Sequence, residues 1–136
     1  MVEDEVRLAV PATPEFLRLA RITAAGLASR LGFTLDQVED LRLAIDELCF
    51  GLTGPHGREG MVRLRFVLRE GSLEVEGTGE FEATAAPPVA LELSELILNA
   101  LVDEHELTND NGHPRFRLLK RRVADTASAG GPASPS

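Results

Sequence analysis

The chain has 136 residues, of which 43% are hydrophobic and 26% charged, the balance of a single globular domain. Its formal net charge of −8 argues against direct binding to nucleic acid, because an acidic surface repels phosphates. The single cysteine, Cys49, cannot form an internal disulfide, and no signal peptide or membrane-length apolar run is recognisable, so we expect a cytoplasmic protein without a membrane partner.

The N-terminal segments predict a strand followed by a helix. Apolar residues alternate with other residues over 6–10, which predicts a short strand. Thr13-Pro14 is typical of a helix start, and this helix runs to about Arg30. Its inner side is expected to consist of Phe16, Ala20, Ala24, Leu27 and Leu31.

A second helix over 34–52 is predicted to be central in the fold. Thr34 and Gln37 form a capping-box pattern, and apolar residues recur from Leu35 onward at helical spacing. Three further apolar residues predict neighbours on more than one side of this helix: Leu43, Cys49 and Phe50.

The middle of the chain predicts a hairpin and a loose link. Alternating apolar residues indicate a strand over 61–69, and 73–76 is expected to return as its antiparallel partner. In the first of these strands, Val62, Leu64, Phe66 and Leu68 share one face, and Arg63 and Arg65 the other. The Gly-, Thr-, Ala- and Pro-rich segment 77–88 is expected to be a loosely ordered link.

The C-terminal part predicts a third helix and two strands. The helix over 91–103 would bury Leu93, Leu96, Ile97, Ala100 and Leu101. Strands at 106–108 and 115–121 flank Asn111-Gly112, a pair typical of a tight hairpin turn. The run Lys120-Arg121-Arg122 is interpreted as a solvated basic patch, and 123–136 as a disordered tail.

This order of elements predicts an α+β fold over residues 1–122. The expected architecture is a two-layer sandwich, in which a mixed, mostly antiparallel sheet of about five strands carries three helices on one face. The first strand is expected to lie at an unprotected edge of the sheet.

The segments LARITAAGLASRL and LRLAIDELCFG resemble the anti-sigma serine kinases of the SpoIIAB/RsbW type, which are small GHKL (histidine-kinase-like) ATPases. The resemblance runs from about Val6 to Arg122. It implies a homodimer that clamps a sigma factor and is countered by an antagonist of the STAS type. Many members bind ATP and magnesium and phosphorylate that antagonist on serine.

The resemblance also implies which positions would hold the nucleotide. Glu47 matches the glutamate of the first motif, a candidate catalytic base, whereas Gly51 stands where the family has a magnesium-binding asparagine. Gly77 stands at the adenine-binding aspartate, although a shift of register would place Glu76 or Val75 there. Gly79 matches a glycine of the same motif.

The segment that closes over the nucleotide in the family is reduced in this chain. The glycine-rich start of the lid corresponds to Glu92-Leu93-Ser94, where both glycines are absent, and the lid itself is only about Glu80–Leu91. Because phosphoryl transfer depends on positioning and charge neutralisation, we expect no cofactor, with ATP and magnesium bound only if the divergent site is active.

Each of the remaining candidates has a structural alternative. Arg21 matches a family arginine that reaches the sigma factor and the antagonist, but a solvated helix face shared with Arg18 is the alternative. Glu47 and its neighbour Asp46 can equally be carboxylates paired with an arginine or facing solvent. Gly77-Thr78-Gly79 is interpreted as a turn rather than a phosphate loop. The histidines are too scattered for metal-ligand spacing, so no metal site is expected: His56, His105 and His113.

Three functions remain open at this point. The leading hypothesis is a regulatory protein that sequesters a sigma factor by occlusion. The second is an active serine kinase with a divergent site, and the third is a scaffold kept for another role. Nucleotide titration separates the first two, and co-purification with a sigma factor separates the first from the third.

Overall fold

The computed structural model describes residues 3–81, 92–110 and 113–123. The predicted order of elements is confirmed. The elements are β1 (Asp4–Pro11), α1 (Pro14–Arg30), α2 (Leu35–Thr53), β2 (Gly60–Arg69), β3 (Ser72–Phe81), α3 (Glu92–Leu101), β4 (Glu104–Asp110) and β5 (His113–Arg121). None of the helices in these described ranges is long and apolar enough to cross a membrane.

The five strands form one sheet in the order β1-β2-β3-β5-β4, and each neighbouring pair is antiparallel. The predicted α+β architecture is therefore confirmed, as is the position of β1 at an edge, but the described sheet is wholly antiparallel rather than mixed. Asp110 pairs with His113, and the predicted turn residues between them, 111–112, lie outside the described residues. The other predictions outside them are the lid beyond Phe81 and the tail beyond Val123.

The core lies between the helices and one face of the sheet. Val62, Leu64, Phe66 and Leu68 of β2 are buried there as predicted, while Arg63 and Arg65 point to the opposite face, which we call the outer face. The capping box of α2 is also confirmed, because Thr34 Oγ1 accepts from the Gln37 amide at 3.2 Å and Gln37 Oε1 accepts from the Thr34 amide at 2.9 Å.

The predicted inner faces of α1 and α2 are partly wrong. Phe16 is 42% exposed, and the buried residues of α1 are instead Leu17, Ala20, Ala24 and Ala28. The stripe formed by Leu17 and the three alanines faces the core, and Phe16 lies beside it, about 100° around the helix from Leu17. On α2, Leu35, Leu43 and Phe50 are exposed and only Cys49 of the widened surface is buried, because no described element covers that side.

The apolar face of α3 also differs from the prediction. Leu98 is fully buried, whereas Leu96 and Ile97 are 72% and 53% exposed. The helix is so rich in apolar residues that its periodicity does not specify one face. The side chains of 92–94, which include the predicted Leu93, lie outside the described residues.

Strand β3 is longer than predicted. It continues to Phe81, so Gly77-Thr78-Gly79 is neither a turn nor part of a loose link but regular strand. All three residues pair with β2, and Gly77 and Thr78 also pair with β5. Glycine disfavours strands when taken alone, but here pairing on both sides fixes the conformation of Gly77, and pairing with β2 fixes that of Gly79.

The basic run at the end of β5 is not simply solvated. Lys120 is buried, and its Nζ donates to the Leu101 carbonyl at 2.6 Å and lies 3.9 Å from Asp40 Oδ2. Arg122 Nη1 donates to the Leu31 carbonyl at 3.3 Å. These cations satisfy carbonyls at the C-terminal ends of α3 and α1, where the helix dipole favours positive charge.

Candidate functional site

Gly77 lies on the core-facing side of β3, directly opposite Phe116 of β5. A Cβ atom at Gly77 would lie 2.4 Å from Cε2 and 2.8 Å from Cζ of the Phe116 ring. Phe116 is 1% exposed, so its ring has little room to move away. The ring therefore occupies the space that an aspartate side chain at this position would need.

The two alternative registers do not supply the adenine-binding carboxylate either. Val75 is an apolar residue of the core. Glu76 points to the outer face, where its Oε1 lies 3.2 Å from Arg65 Nη1. The strand alternation thus places the nearest carboxylate on the side of the sheet away from the helices.

The position of an aromatic ring also explains why residue 79 is a glycine. A Cβ atom there would lie 2.5 Å from both Cε2 and Cζ of Phe81. The guanidinium of Arg58 lies over the same ring, 4.6 Å from its centroid. Gly79 therefore accommodates Phe81 at the end of β3, and the phosphate-loop interpretation has no support in this geometry.

Glu47 and Gly51 lie one turn apart on α2, where Glu47 is half-buried and Gly51 is buried. Gly51 has no side-chain oxygen, so the metal ligand that the resemblance implies is missing. Within 3–81, 92–110 and 113–123, no three or more His, Cys, Asp or Glu residues gather as a metal site would require. The donor set at these positions does not fit a magnesium nucleotide bound as in the family.

Arg21 and Asp46 form an ion pair between α1 and α2, with Arg21 Nη1 at 3.1 Å from Asp46 Oδ2. The two side chains are 30% and 46% exposed, so Arg21 is neither freely solvated nor sequestered. Burial raises the pKa of Asp46, and the opposing attraction of Arg21 and Arg42 does not fully offset it.

A cavity of about 250 Å³ lies beside this ion pair. Its polar lining includes Arg18, Arg21 and Asp46. Its apolar lining consists of Pro14, Leu17, Cys49, Phe50 and Pro55. Sequence reasoning missed this cavity because the periodicity of α2 assigned Phe50 to a buried face. Cys49 is no nucleophile here, since burial raises the pKa of its thiol to about 12.

The histidines do not converge on any of these features. His105 Nε2 hydrogen-bonds to Asn99 Oδ1 at 2.9 Å between β4 and α3, whereas His56 lies in the loop after α2 and His113 begins β5. Of the predicted site residues, the fold brings Gly77 and Gly79 together on one strand and Glu47 and Gly51 together on one helix.

Comparison of the sequence with curated proteins identifies similar proteins named serine-protein kinase RsbW. The one from Bacillus subtilis (strain 168) is 40% identical over 75 residues, covering 53% of this chain and 47% of the relative. The one from Bacillus pumilus (strain SAFR-032) is 35% identical over 77 residues, covering 53% and 48%. The one from Halalkalibacterium halodurans is 29% identical over 128 residues, covering 80% and 78%. The chain thus spans about half the length of the first two relatives.

No protein-family model matches the chain. Among solved structures, the chain resembles the RsbU and RsbW domains of Rv1364c from Mycobacterium tuberculosis, with a TM-score of 0.64 and 15% sequence identity. This match covers 88% of the present chain and 32% of the other, and at this identity it supports the fold alone. In sequence and in fold, the predicted resemblance to the RsbW type of anti-sigma serine kinase is confirmed.

Proposed function

We propose that this protein is an anti-sigma-factor-like regulator that binds and sequesters a sigma factor, is countered by an antagonist protein of the STAS type, and lacks kinase activity. The similarity to the RsbW type supports the regulatory role. The observation that carries the loss of kinase activity is the contact between Gly77 and Phe116, since a Cβ at Gly77 would lie 2.4 Å from the ring. An adenine-anchoring aspartate cannot stand at this position without displacing a core phenylalanine.

The remaining nucleotide positions support the same proposal. Gly51 offers no ligand to magnesium, and the nearest alternative to Gly77, Glu76, is engaged by Arg65 on the outer face. Glu47 alone would be a base without a positioned nucleotide to act with.

The partner surface that we propose is centred on Arg21 and the adjoining cavity. Arg21 and the exposed Arg18 offer guanidinium groups for bidentate contacts with partner carboxylates. Phe16 and Phe50 are large apolar residues that remain 42% and 38% exposed on the same two helices. Exposed apolar area rimmed by charge is typical of a protein-binding surface. Occupation of this surface would occlude sigma-factor regions that contact core RNA polymerase.

An active serine kinase is the second candidate. It is favoured by Glu47, which stands where the family has its catalytic glutamate, and by the name of the curated relatives, serine-protein kinase. Under this alternative the substrate would be the serine of a STAS-type antagonist, and ATP with magnesium would be required.

Affinity capture from the native cell tests the proposal. The wild-type chain should retain a sigma factor, and Arg21→Ala should lose it, because truncating a desolvated interface pair costs about 2–5 kcal/mol of binding. Arg30→Ala is the matched control, since Arg30 is exposed in the last turn of the same helix. Asp46→Asn should capture the sigma factor at least as well as wild type, because it releases Arg21.

Two outcomes would count against the proposal. Unchanged capture by Arg21→Ala would remove Arg21 from the surface, and failure of the wild-type chain to retain any sigma factor would favour the scaffold with another role. The expected loss of capture by Arg21→Ala reports on the surface only if the variant unfolds at the same denaturant concentration as wild type, as a surface change of less than about 0.5 kcal/mol predicts.

A further inference from the structure

The outer face of the sheet is a network of ion pairs that leaves two charged side chains unpaired. Glutamates across this face each pair with at least one arginine: Glu3, Glu5, Glu74, Glu76, Glu80 and Glu104. By contrast, the side chains of Glu106 in β4 and Arg115 in β5 form no ion pair or hydrogen bond within residues 3–81, 92–110 and 113–123. Both line a cavity of about 140 Å³ together with Thr108 and Arg117. Two unpaired charges of opposite sign therefore lie at the same edge of the sheet.

Strand β4 is the edge of the sheet opposite β1, and the direction of its backbone groups follows from β5. Arg122, directly after β5, donates its backbone N–H to the Gly71 carbonyl on the β3 side. Because backbone groups alternate in direction along a strand, the odd-numbered residues of β5 direct theirs towards β4. The residues of β4 that pair with them are even-numbered. The odd-numbered residues of β4 therefore direct their N–H and C=O groups away from the sheet: His105, Leu107 and Asn109.

We propose that β4 binds a second copy of this chain, by antiparallel pairing of the two β4 strands about a two-fold axis at Leu107. Such an axis makes the contact self-complementary, because each strand offers the same residues to the other. It also sets the outward backbone groups of one strand against those of the other, as an antiparallel ladder requires. Glu106 then lies opposite Thr108 of the second copy. Arg115 of that copy lies directly behind this threonine, since Arg115 pairs with Thr108.

The two unpaired charges favour this register over its neighbours. Adjacent strands are about 4.8 Å apart, so the Cα atoms of Glu106 and of Arg115 in the second copy are about 10 Å apart. Their long side chains span this distance over the short Thr108, and the symmetry forms the ion pair twice. An axis at Glu106 would instead place two unpaired carboxylates opposite each other, and an axis at Thr108 would place Glu106 opposite Asp110. Both of these arrangements are repulsive.

The remaining residues of β4 are compatible with the contact. Leu107 is partly buried against the core, and on the helix side of the sheet it meets Leu107 of the second copy. Glu104 lies opposite Asp110, but Arg117 and Arg121 already balance the charge of Glu104. Strand β4 contributes only seven residues, so we expect pairing on the order of hundreds of micromolar, because a stable interface takes about 20–30 residues per partner. The contact leaves α1, α2 and β1 uncovered and does not depend on the proposed sigma-factor binding.

A disulfide at the two-fold axis tests the register. Opposed residues with paired backbone groups have Cα atoms about 5.5 Å apart, which suits a disulfide, so Leu107→Cys should oxidise to a covalent dimer. Asn109→Cys is the matched control on the same edge, because residues 109 of the two copies would be about 14 Å apart and should not be linked. Cys49 does not compete, since it is buried and burial raises the pKa of its thiol to about 12.

Charge reversal in the Leu107→Cys chain tests the ion pair. Glu106→Arg and Arg115→Glu should each reduce the covalent dimer at least about fivefold, because each sets two pairs of like charges across the axis. An equimolar mixture of the two variants should recover it, since the reversed residue 106 of one chain then faces the reversed residue 115 of the other. Light scattering of the same chains without the added cysteine should give larger masses for wild type and for the mixture than for either variant alone.

The proposal would be overturned by any of four results. These are no covalent dimer from Leu107→Cys, equal cross-linking of Asn109→Cys, unchanged cross-linking after either charge reversal, and no recovery in the mixture. Circular dichroism of the reduced variants checks that each one is folded. If Leu107→Cys does not fold, the light-scattering masses decide alone, and equal masses for wild type and both charge reversals would then contradict the pairing.

Discussion

Gly77 and Phe116 are a matched pair across β3 and β5, in which the absence of a Cβ on one strand makes room for the ring on the other. A Cβ at Gly77 would approach Cε2 of Phe116 to 2.4 Å, a distance that neither atom tolerates. In the register that the sequence resemblance implies, the adenine-binding aspartate of the family would stand at this position. The packing of Phe116 therefore excludes a larger side chain at residue 77 unless the ring moves.

Gly77→Ala should lower the free energy of unfolding by about 1–3 kcal/mol, the usual cost of overpacking a core. Urea unfolding monitored by circular dichroism measures this change. Gly26→Ala is the control, because a Cβ at Gly26 meets nothing within 4 Å and helix α1 should gain about 0.5–1 kcal/mol from the substitution. In the double variant Gly77→Ala/Phe116→Leu, the two effects should be non-additive. Additive effects would contradict the pairing.

Glu74 connects two arginines on the outer face and should make stability sensitive to acid. Its carboxylate lies 2.8 Å from Arg69 and 2.6 Å from Arg117, and its side chain is 10% exposed. Burial acts to raise the pKa of Glu74, but the hydrogen bonds from the two arginines outweigh it and hold the pKa below the ordinary value of 4.5. The ionised form therefore stabilises the fold above pH 4.5, and this contribution is lost as pH falls through the lowered pKa.

Glu74→Gln should accordingly lower the free energy of unfolding at pH 7 by about 1–3 kcal/mol, and the difference from wild type should shrink below pH 4.5. Denaturant unfolding across this pH range measures both effects. Glu80→Gln is the control, because the Glu80–Arg63 pair is 46% and 60% exposed and should contribute about 0–1 kcal/mol. A pH-independent difference for Glu74→Gln would contradict the assignment.

Lys120 should stabilise the fold, although the run Lys120-Arg121-Arg122 is typical of a solvated basic patch. Lys120→Met removes the donor to the Leu101 carbonyl, which lies 2.6 Å from Nζ, and should cost about 1–3 kcal/mol of stability. Amide hydrogen exchange in α3 should also become faster, because the helix loses its link to β5. Arg121→Gln, one residue further along and 58% exposed, should leave both measurements unchanged. Equal behaviour of the two variants would restore the solvated interpretation.

These residues show where sequence patterns determine the fold and where they do not. The alternation in β2 correctly separated Leu64 and Phe66 from Arg65, because a strand has only two faces. The α1 pattern was less decisive, since Phe16 and Leu17 are adjacent and a small rotation of the helix decides which one is buried. The roles of Gly77 and Lys120 depend on Phe116 and Leu101, partners distant in sequence that no local pattern reveals.

The edge position of β1 suggests how two copies assemble. Its outward backbone groups have no strand partner within the described residues, and such an edge is a ready template for pairing with another chain. We predict a homodimer, as the resemblance implies. Light scattering at tens of micromolar should give a mass of about twice 14.7 kDa. A monomer mass under these conditions would exclude a stable pairing through β1.

Nucleotide binding decides between the two candidate functions. Calorimetry with ATP and magnesium should show no saturable binding tighter than about 1 mM, because the positions that the resemblance assigns to the metal ligand and the adenine anchor are both glycine. Gly77→Asp should not restore affinity, since Phe116 already fills the space that the new side chain needs. The RsbW kinase of Bacillus subtilis, 40% identical over the matched region, is the positive control. A micromolar, magnesium-dependent dissociation constant for the wild-type chain would contradict this prediction, because Glu47 would then have a positioned nucleotide to act on and the serine kinase would become the leading function.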